Sequence, residues 1–147
     1  MYRSSGMPGH LIRRLHQLST QVFMTRMREA GFDLTPVQFA ALDALSDRPG
    51  TDQARLAQAI GKDKATVGAV ADRLEQKGLV TRQASTSDKR ALQLTLTPAG
   101  EDLLEKTAPI VEELQKELLP GLNPDEYRQF IELATKAARA AGVVAEE

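Results

Sequence analysis

The chain has 147 residues, no cysteine and a formal net charge of −1. That length suits one domain, or a small lobe with a helical extension, and the missing cysteine excludes disulfides, thiol redox sensing and Cys-based zinc sites. No apolar run approaches the roughly 18–20 residues of a membrane span, and Arg13, Arg14 and His16 interrupt the one candidate signal-peptide core, so the expectation is a cytoplasmic protein with no membrane partner.

Residues 1–9 carry Ser, Gly and Pro and read as a loose arm. From His10 the pattern turns helical. Leu11, Leu15, Leu18 and Val22 form one apolar stripe, and Phe23 and Met27 form a second on another side. A helix with two apolar faces must be covered twice. Gly31 stops it. Thr35, Pro36 and Gln38 then make a strong helix start: a cap, a proline whose missing N–H is harmless there, and a capping-box partner. Arg48, Pro49 and Gly50 end that second helix.

Asp52 begins a third helix with Leu56, Ala57 and Ile60 inward, stopped by Gly61. The fourth covers residues 63–77, with Val67, Val70, Ala71 and Leu74 inward and Gly78 placed as a left-handed stop. Residues 79–84 read as a strand. Leu92, Leu94 and Leu96 alternate with Gln93, Thr95 and Thr97, a half-buried strand of period two. The polar stretch 85–90 between them is too long for a tight hairpin turn. Thr97 and Pro98 start a fifth helix to about Leu119, which Pro109 is expected to kink or split. Asn123 and Pro124 start a sixth, whose stripe runs from Tyr127 through Phe130, Ile131 and Ala134 to Ala141.

A helix–turn–helix trailed by a basic hairpin is the pattern of a winged DNA reader. The expected fold is mainly α with a small β-hairpin wing. The expected divisions are an arm at 1–9, a dimerisation helix at 10–34, the reader at 35–97, dimerisation helices at 98–142 and a tail at 143–147. Helices one, five and six carry more apolar surface than so small a reader can cover, so a homodimer is expected. A two-fold pair would set two recognition helices about 34–36 Å apart, for successive major grooves.

Charge supports the same orientation. Residues 1–47 hold five basic and four acidic side chains, residues 48–90 nine and five, and residues 101–147 five and eleven. The positive field sits on the reader, and the acidic C-terminal part would be repelled by phosphate. At the fourth helix Lys62, Lys64, Ala65 and Thr66 occupy the end that enters a major groove. Arg73 and Arg82 suit a backbone grip or a brace for the wing, and Asp88, Lys89 and Arg90 form its tip. Each cation alone reads as a solvated charge; the combination points to double-stranded DNA.

These residues resemble the MarR (multiple antibiotic resistance regulator) family. The resemblance rests on Leu74, Gly78, Leu79, Val80 and Arg82, then Asp88, Lys89 and Arg90, then Leu94, Leu96, Thr97 and Gly100, with Leu56, Ala57, Ile60, Gly61, Asp63, Lys64, Thr66 and Val67 upstream. It covers residues 10–142. It implies a dimeric winged helix–turn–helix regulator, mostly a repressor of palindromic operators, released by small aromatic or phenolic ligands, in a bacterial or archaeal cytoplasm. It also implies that Arg90 reaches a minor groove and that Asp88 orients an arginine. Ala69 and Ala71 make the fourth helix less polar than many in the family.

A second set of residues points to an effector. His10, Arg14, Gln17 and Gln21 share one side of the first helix, bordering its leucine stripe, and His16 lies on another side. A cation and a histidine beside an apolar seam suit an aromatic carboxylate. The alternative is that Arg14 pairs with an acid across the dimer and His10 is solvated. The two histidines make no metal constellation, and with no cysteine nucleophile and no Gly-rich phosphate loop neither a cofactor nor an enzyme is expected. The rival reading is a winged-helix adaptor that binds protein rather than DNA.

Overall fold

The computed structural model describes residues 1–84 and 92–144. A 3-10 turn, Arg3–Gly6, leads into helix α1, Pro8–Glu29. Then come α2 (Pro36–Asp47), a two-residue strand β1 (Thr51–Asp52), α3 (Gln53–Ile60) and α4 (Lys64–Gln76). Strands β2 (Val80–Ala84) and β3 (Leu92–Leu96) follow, then α5 (Pro98–Leu114), a 3-10 turn (Gln115–Glu117) and α6 (Pro124–Ala140). The fold is thus mostly helical, as expected, with a winged helix–turn–helix at its centre.

The helix starts are where the capping residues put them. Thr35 and Gln38 form the reciprocal box, as do Asn123 and Glu126. Asp52, Asp63 and Thr97 each accept an N–H from the first turn of the helix that follows. Each cap satisfies a donor that the helix itself cannot. Gly61 (φ 72°) and Gly78 (φ 75°) take the left-handed conformation that lets the chain reverse between α3 and α4 and between α4 and β2.

Four features depart from the sequence reading. Residues 1–9 are not a featureless arm: α1 begins at Pro8, and the turn before it folds back so that Tyr2 Oη lies 3.2 Å from His10 Nε2. The wing is a three-stranded antiparallel sheet in the order β1-β3-β2, since Thr51 and Asp52 pair with Leu94 and Gln93. Helix α5 ends at Leu114 rather than near Leu119. Pro109 also does not split it: the helix continues past Pro109, which lies with Glu105 (whose carbonyl loses its donor) on the exposed side.

One buried cluster joins Phe23 and Met27 of α1, Leu42 and Leu45 of α2, Leu56 of α3, Val67 and Leu74 of α4, Leu94 of β3, and Leu104 and Leu114 of α5. The core therefore runs across the boundaries expected at 34/35 and 97/98. Arg26 of α1 clasps Glu117 through a two-pronged guanidinium–carboxylate contact, its Nε donating at 2.8 Å. The other apolar face of α1 stays outside: Ile12 is 66% exposed, and Leu11 and Leu15 are also exposed. Helix α6 contains no buried residue, and its Leu133 is 67% exposed. Among the described residues no helix is long and apolar enough to cross a membrane, and no cluster of His, Asp and Glu suits a metal ion.

Candidate nucleic-acid interface

Helices α3 and α4 cross with Leu56 and Ala57 packed toward Val67, Ala71 and Leu74, all buried. That packing turns the first turn of α4 outward. Lys62, Lys64 and Ala65 are exposed there, and Thr66 is half-buried. The Asp63 carboxylate organises this end. It accepts the Thr66 N–H on Oδ1 at 2.8 Å and the Thr66 hydroxyl on Oδ2 at 2.8 Å. These two bonds hold the Asp63 carboxyl below the ordinary carboxylate range. They also commit the Thr66 hydroxyl proton, which leaves its oxygen as an acceptor and its methyl as an apolar contact.

The remaining predicted cations have different surroundings. Arg73 is exposed on the third turn of α4. Arg82, in the middle of β2, is only 17% exposed at its side chain. Its Nη2 donates to Asp72 Oδ1 at 2.6 Å and to the Gly68 carbonyl at 3.2 Å. Asp88, Lys89 and Arg90 lie outside the described residues. Lys77, at the end of α4, donates to the Asp33 carbonyl at 2.7 Å and so ties the reader to the α1–α2 loop. Sequence reading passed over two cations beside the reader. Arg48 and Arg55 are 86% and 81% exposed at their side chains, flanking β1 and the first turn of α3. Their only sequence signal was membership of the basic 48–90 block.

The predicted effector residues separate. His10 is engaged by Tyr2 on Nε2 and by Arg13 Nη2 on Nδ1 at 3.2 Å. Arg14 Nη1 donates to Gln17 Oε1 at 2.8 Å. Those two line an open hollow of about 430 Å³ with Leu11, Leu15, Leu18 and Gln21, every one of them on α1. His16 faces a different groove of about 310 Å³, between α1 and α6, beside Leu118, Tyr127 and Phe130. The structure thus keeps Arg14 and Gln17 together but sets His10 and His16 apart from them.

Residues 34–92 match the model of the MarR family, a span from the start of α2 to the start of β3. The transcriptional regulator HosA of Escherichia coli O157:H7 is 35% identical over 127 residues, 86% of this chain and 91% of that protein. A structure of BpsR from Bordetella bronchiseptica, whose DNA binding is regulated by 6-hydroxynicotinic acid, superposes with a TM-score of 0.85 at 32% identity, covering 94% of this chain and 97% of that one. A MarR variant from E. coli bound to operator DNA superposes with a TM-score of 0.82 at 26% identity over 91% and 96% of the two chains. The outward first turn of α4, the sheet packed behind it and these whole-chain similarities agree, and the chain belongs to the MarR family.

Proposed function

We propose that the chain is a dimeric, DNA-binding transcriptional regulator, a repressor that holds a pseudo-palindromic operator and leaves it when a small aromatic or phenolic acid binds. The observation that carries the DNA reading is the first turn of α4. A helix N-terminus capped by Asp63 presents Lys62 and Lys64 beside the small Ala65, an arrangement that a major groove admits. Arg73 from α4, and Arg48 and Arg55 beside α3, add charges suited to phosphates on either side. Lys89 and Arg90 enter this reading from sequence alone. The E. coli MarR variant's complex with operator DNA supports it.

The dimer is supported by what one copy leaves uncovered. The Leu11, Ile12 and Leu15 face of α1 and the Phe130 and Ile131 face of α6 are apolar and exposed. Both lie at the chain's ends, away from α4. A second copy covers both with one two-fold contact. The effector reading is supported by the cation of Arg14 beside leucines, and by the 6-hydroxynicotinic acid that regulates BpsR. A hollow built on one helix needs a second wall, and the same two-fold contact supplies one.

The test is a titration of the chain against a duplex it selects from a random-sequence pool, repeated across salt. Affinity is expected to fall steeply as salt rises. Lys62→Ala with Lys64→Ala is expected to flatten that slope by about 0.9 for each phosphate no longer neutralised. Absent or salt-insensitive binding to every duplex sinks the reading and favours the protein-binding adaptor.

A further inference from the structure

We propose that Arg82 is a positioning residue rather than a phosphate contact, and that Asp72 serves DNA binding in spite of its negative charge. With its Nη2 shared between the Asp72 carboxylate and the Gly68 carbonyl, Arg82 sets the angle between the recognition helix and the strand that leads into the wing. The inference rests on the DNA-binding function proposed for α4 and deepens it.

A guanidinium that grips a phosphate presents its N–H groups outward. Arg82 presents its own inward, 17% exposed, with Nη2 held by Asp72 at 2.6 Å and by Gly68 at 3.2 Å. Its charge is balanced by Asp72, so the pair adds little to the field that attracts DNA. Gly68 and Asp72 stand one helical turn apart on the same side of α4. One nitrogen, Nη2, is therefore shared between two places along the α4 axis, which seats the end of the Arg82 side chain against the helix. Arg82 itself lies mid-strand, paired in register with Leu94 of β3.

The wing needs such a tie. A two-stranded ribbon has marginal stability of its own. The third strand, β1, is only two residues long and pairs with Gln93 and Leu94 of β3, leaving β2, among the described residues, without a neighbour on its other edge. At the root of β2 the Leu79 N–H bonds to the Leu74 carbonyl at 2.9 Å, and Arg82 adds a second hold three residues further out. A helix in a major groove and a wing beside it must meet the duplex together, so a change in their angle weakens the grip of both.

Asp72→Asn separates this from a direct role. Asp72 is 61% exposed at its side chain and the substitution nearly preserves its shape, so the fold survives it. Simple electrostatics predicts that removing an acid from a DNA-facing helix tightens binding. The positioning role predicts the reverse, a loss of roughly ten-fold, within the range that residues in contact show when uncoupled. Arg82→Ala removes the tie from the other side, and is expected to bind as weakly as Asp72→Asn. The double variant Asp72→Asn with Arg82→Ala is expected to be no weaker than either alone. The slope of log affinity against log salt stays unchanged in all of them, whereas removing a cation that neutralises a phosphate lowers it by about 0.9. Thermal melting and dimer content serve as fold controls. A wild-type chain that binds no duplex overturns the DNA reading and this inference with it. A wild type that binds, with Asp72→Asn equal or tighter, or with a flatter salt slope in Arg82→Ala, overturns this inference alone.

Discussion

Gly100, in the first turn of α5, stands so close to the Leu79 carbonyl that a Cβ built on it would lie 2.1 Å from that oxygen. The same oxygen accepts the Thr97 N–H at 3.0 Å, and the Thr97 hydroxyl donates to the neighbouring Gly78 carbonyl at 2.6 Å. The start of α5 is thus seated directly on the chain reversal that links α4 to β2. No side chain intervenes, and none has room to. Gly100→Ala would gain helix propensity of about 1 kcal/mol on an open surface. Here the obstacle is backbone, which cannot turn aside like a flexible side chain. The expected outcome is a net loss of roughly 1–3 kcal/mol, as for other overpacked sites. Denaturant midpoints of the two proteins check this, and an unchanged or raised midpoint would show that α5 lifts off the turn freely.

How much of the fold is legible in the sequence follows the distance over which each signal acts. Thr35, Asp52, Asp63, Thr97 and Asn123 announce their helices because a cap and its N–H partner lie three residues apart in sequence. Strand β1 is not legible: two residues carry no periodicity, and Thr51 becomes a strand only because Leu94 lies beside it. Pro109 fails to split α5 because the rule for proline is local, whereas the cost of its missing bond depends on which side faces water. At the candidate site, the exposed end of α4 can be read from the apolar spacing of Val67, Ala71 and Leu74. The inward turn of Arg82 cannot, since its partners lie 10 and 14 residues back along the chain. The same limit applies to His10, whose neighbour Tyr2 comes from a turn that reads as a loose end.

The uncovered face of α6 yields a test of assembly that leaves the protomer core alone. Leu133 is 67% exposed and belongs to no buried cluster, so a charge there costs the single copy little. Placed inside a contact between copies, the same charge loses its water and finds no partner. Leu133→Glu is expected to sediment as a monomer at concentrations where the wild type is a dimer, with its helix content by circular dichroism retained. Affinity for a palindromic duplex is expected to fall with it, because two linked readers bind more tightly than two separate ones. A Leu133→Glu chain that remains a dimer would place the contact elsewhere.

The clasp between Arg26 and Glu117 predicts the pH dependence of the joint between α1 and the end of α5. The Arg26 guanidinium lowers the Glu117 carboxyl below its ordinary value of 4.5. A carboxyl lowered by folding stabilises the fold above its unfolded pKa and loses that contribution as pH falls through the folded value. The contribution is therefore full at neutral pH and fades only on the acid side of 4.5. Both side chains are about two-fifths exposed, so water and salt screen the pair and the effect is small. Glu117→Gln is expected to melt slightly below the wild type at neutral pH. The two melting curves should converge in acid, and the neutral-pH gap should shrink in high salt. A gap that persists in acid would assign the loss to packing.

Arg14 offers the sharpest division between holding DNA and releasing it. It sits on the exposed flank of α1, bonded only to Gln17 among the described residues, and touches neither the buried core nor α4. Removing it should leave folding and operator affinity close to wild type. If the hollow it shares with Leu11, Leu15 and Leu18 takes the carboxylate of an aromatic acid, Arg14→Ala removes the charge that fixes that group. A charge-assisted bond of this kind contributes about 1.5–3 kcal/mol, or roughly ten- to hundred-fold in affinity. The measurement is a thermal-shift screen of hydroxylated aromatic acids on the wild type, followed by the best ligand on the variant. A ligand that binds only the folded state must raise apparent stability. The expected pattern is a shift in the wild type that disappears in Arg14→Ala, together with an operator complex that the acid no longer dissociates. A variant that still shifts and still releases DNA would move the effector to the groove beside His16 and Tyr127, where an aromatic ring also finds apolar walls and a hydrogen-bonding edge.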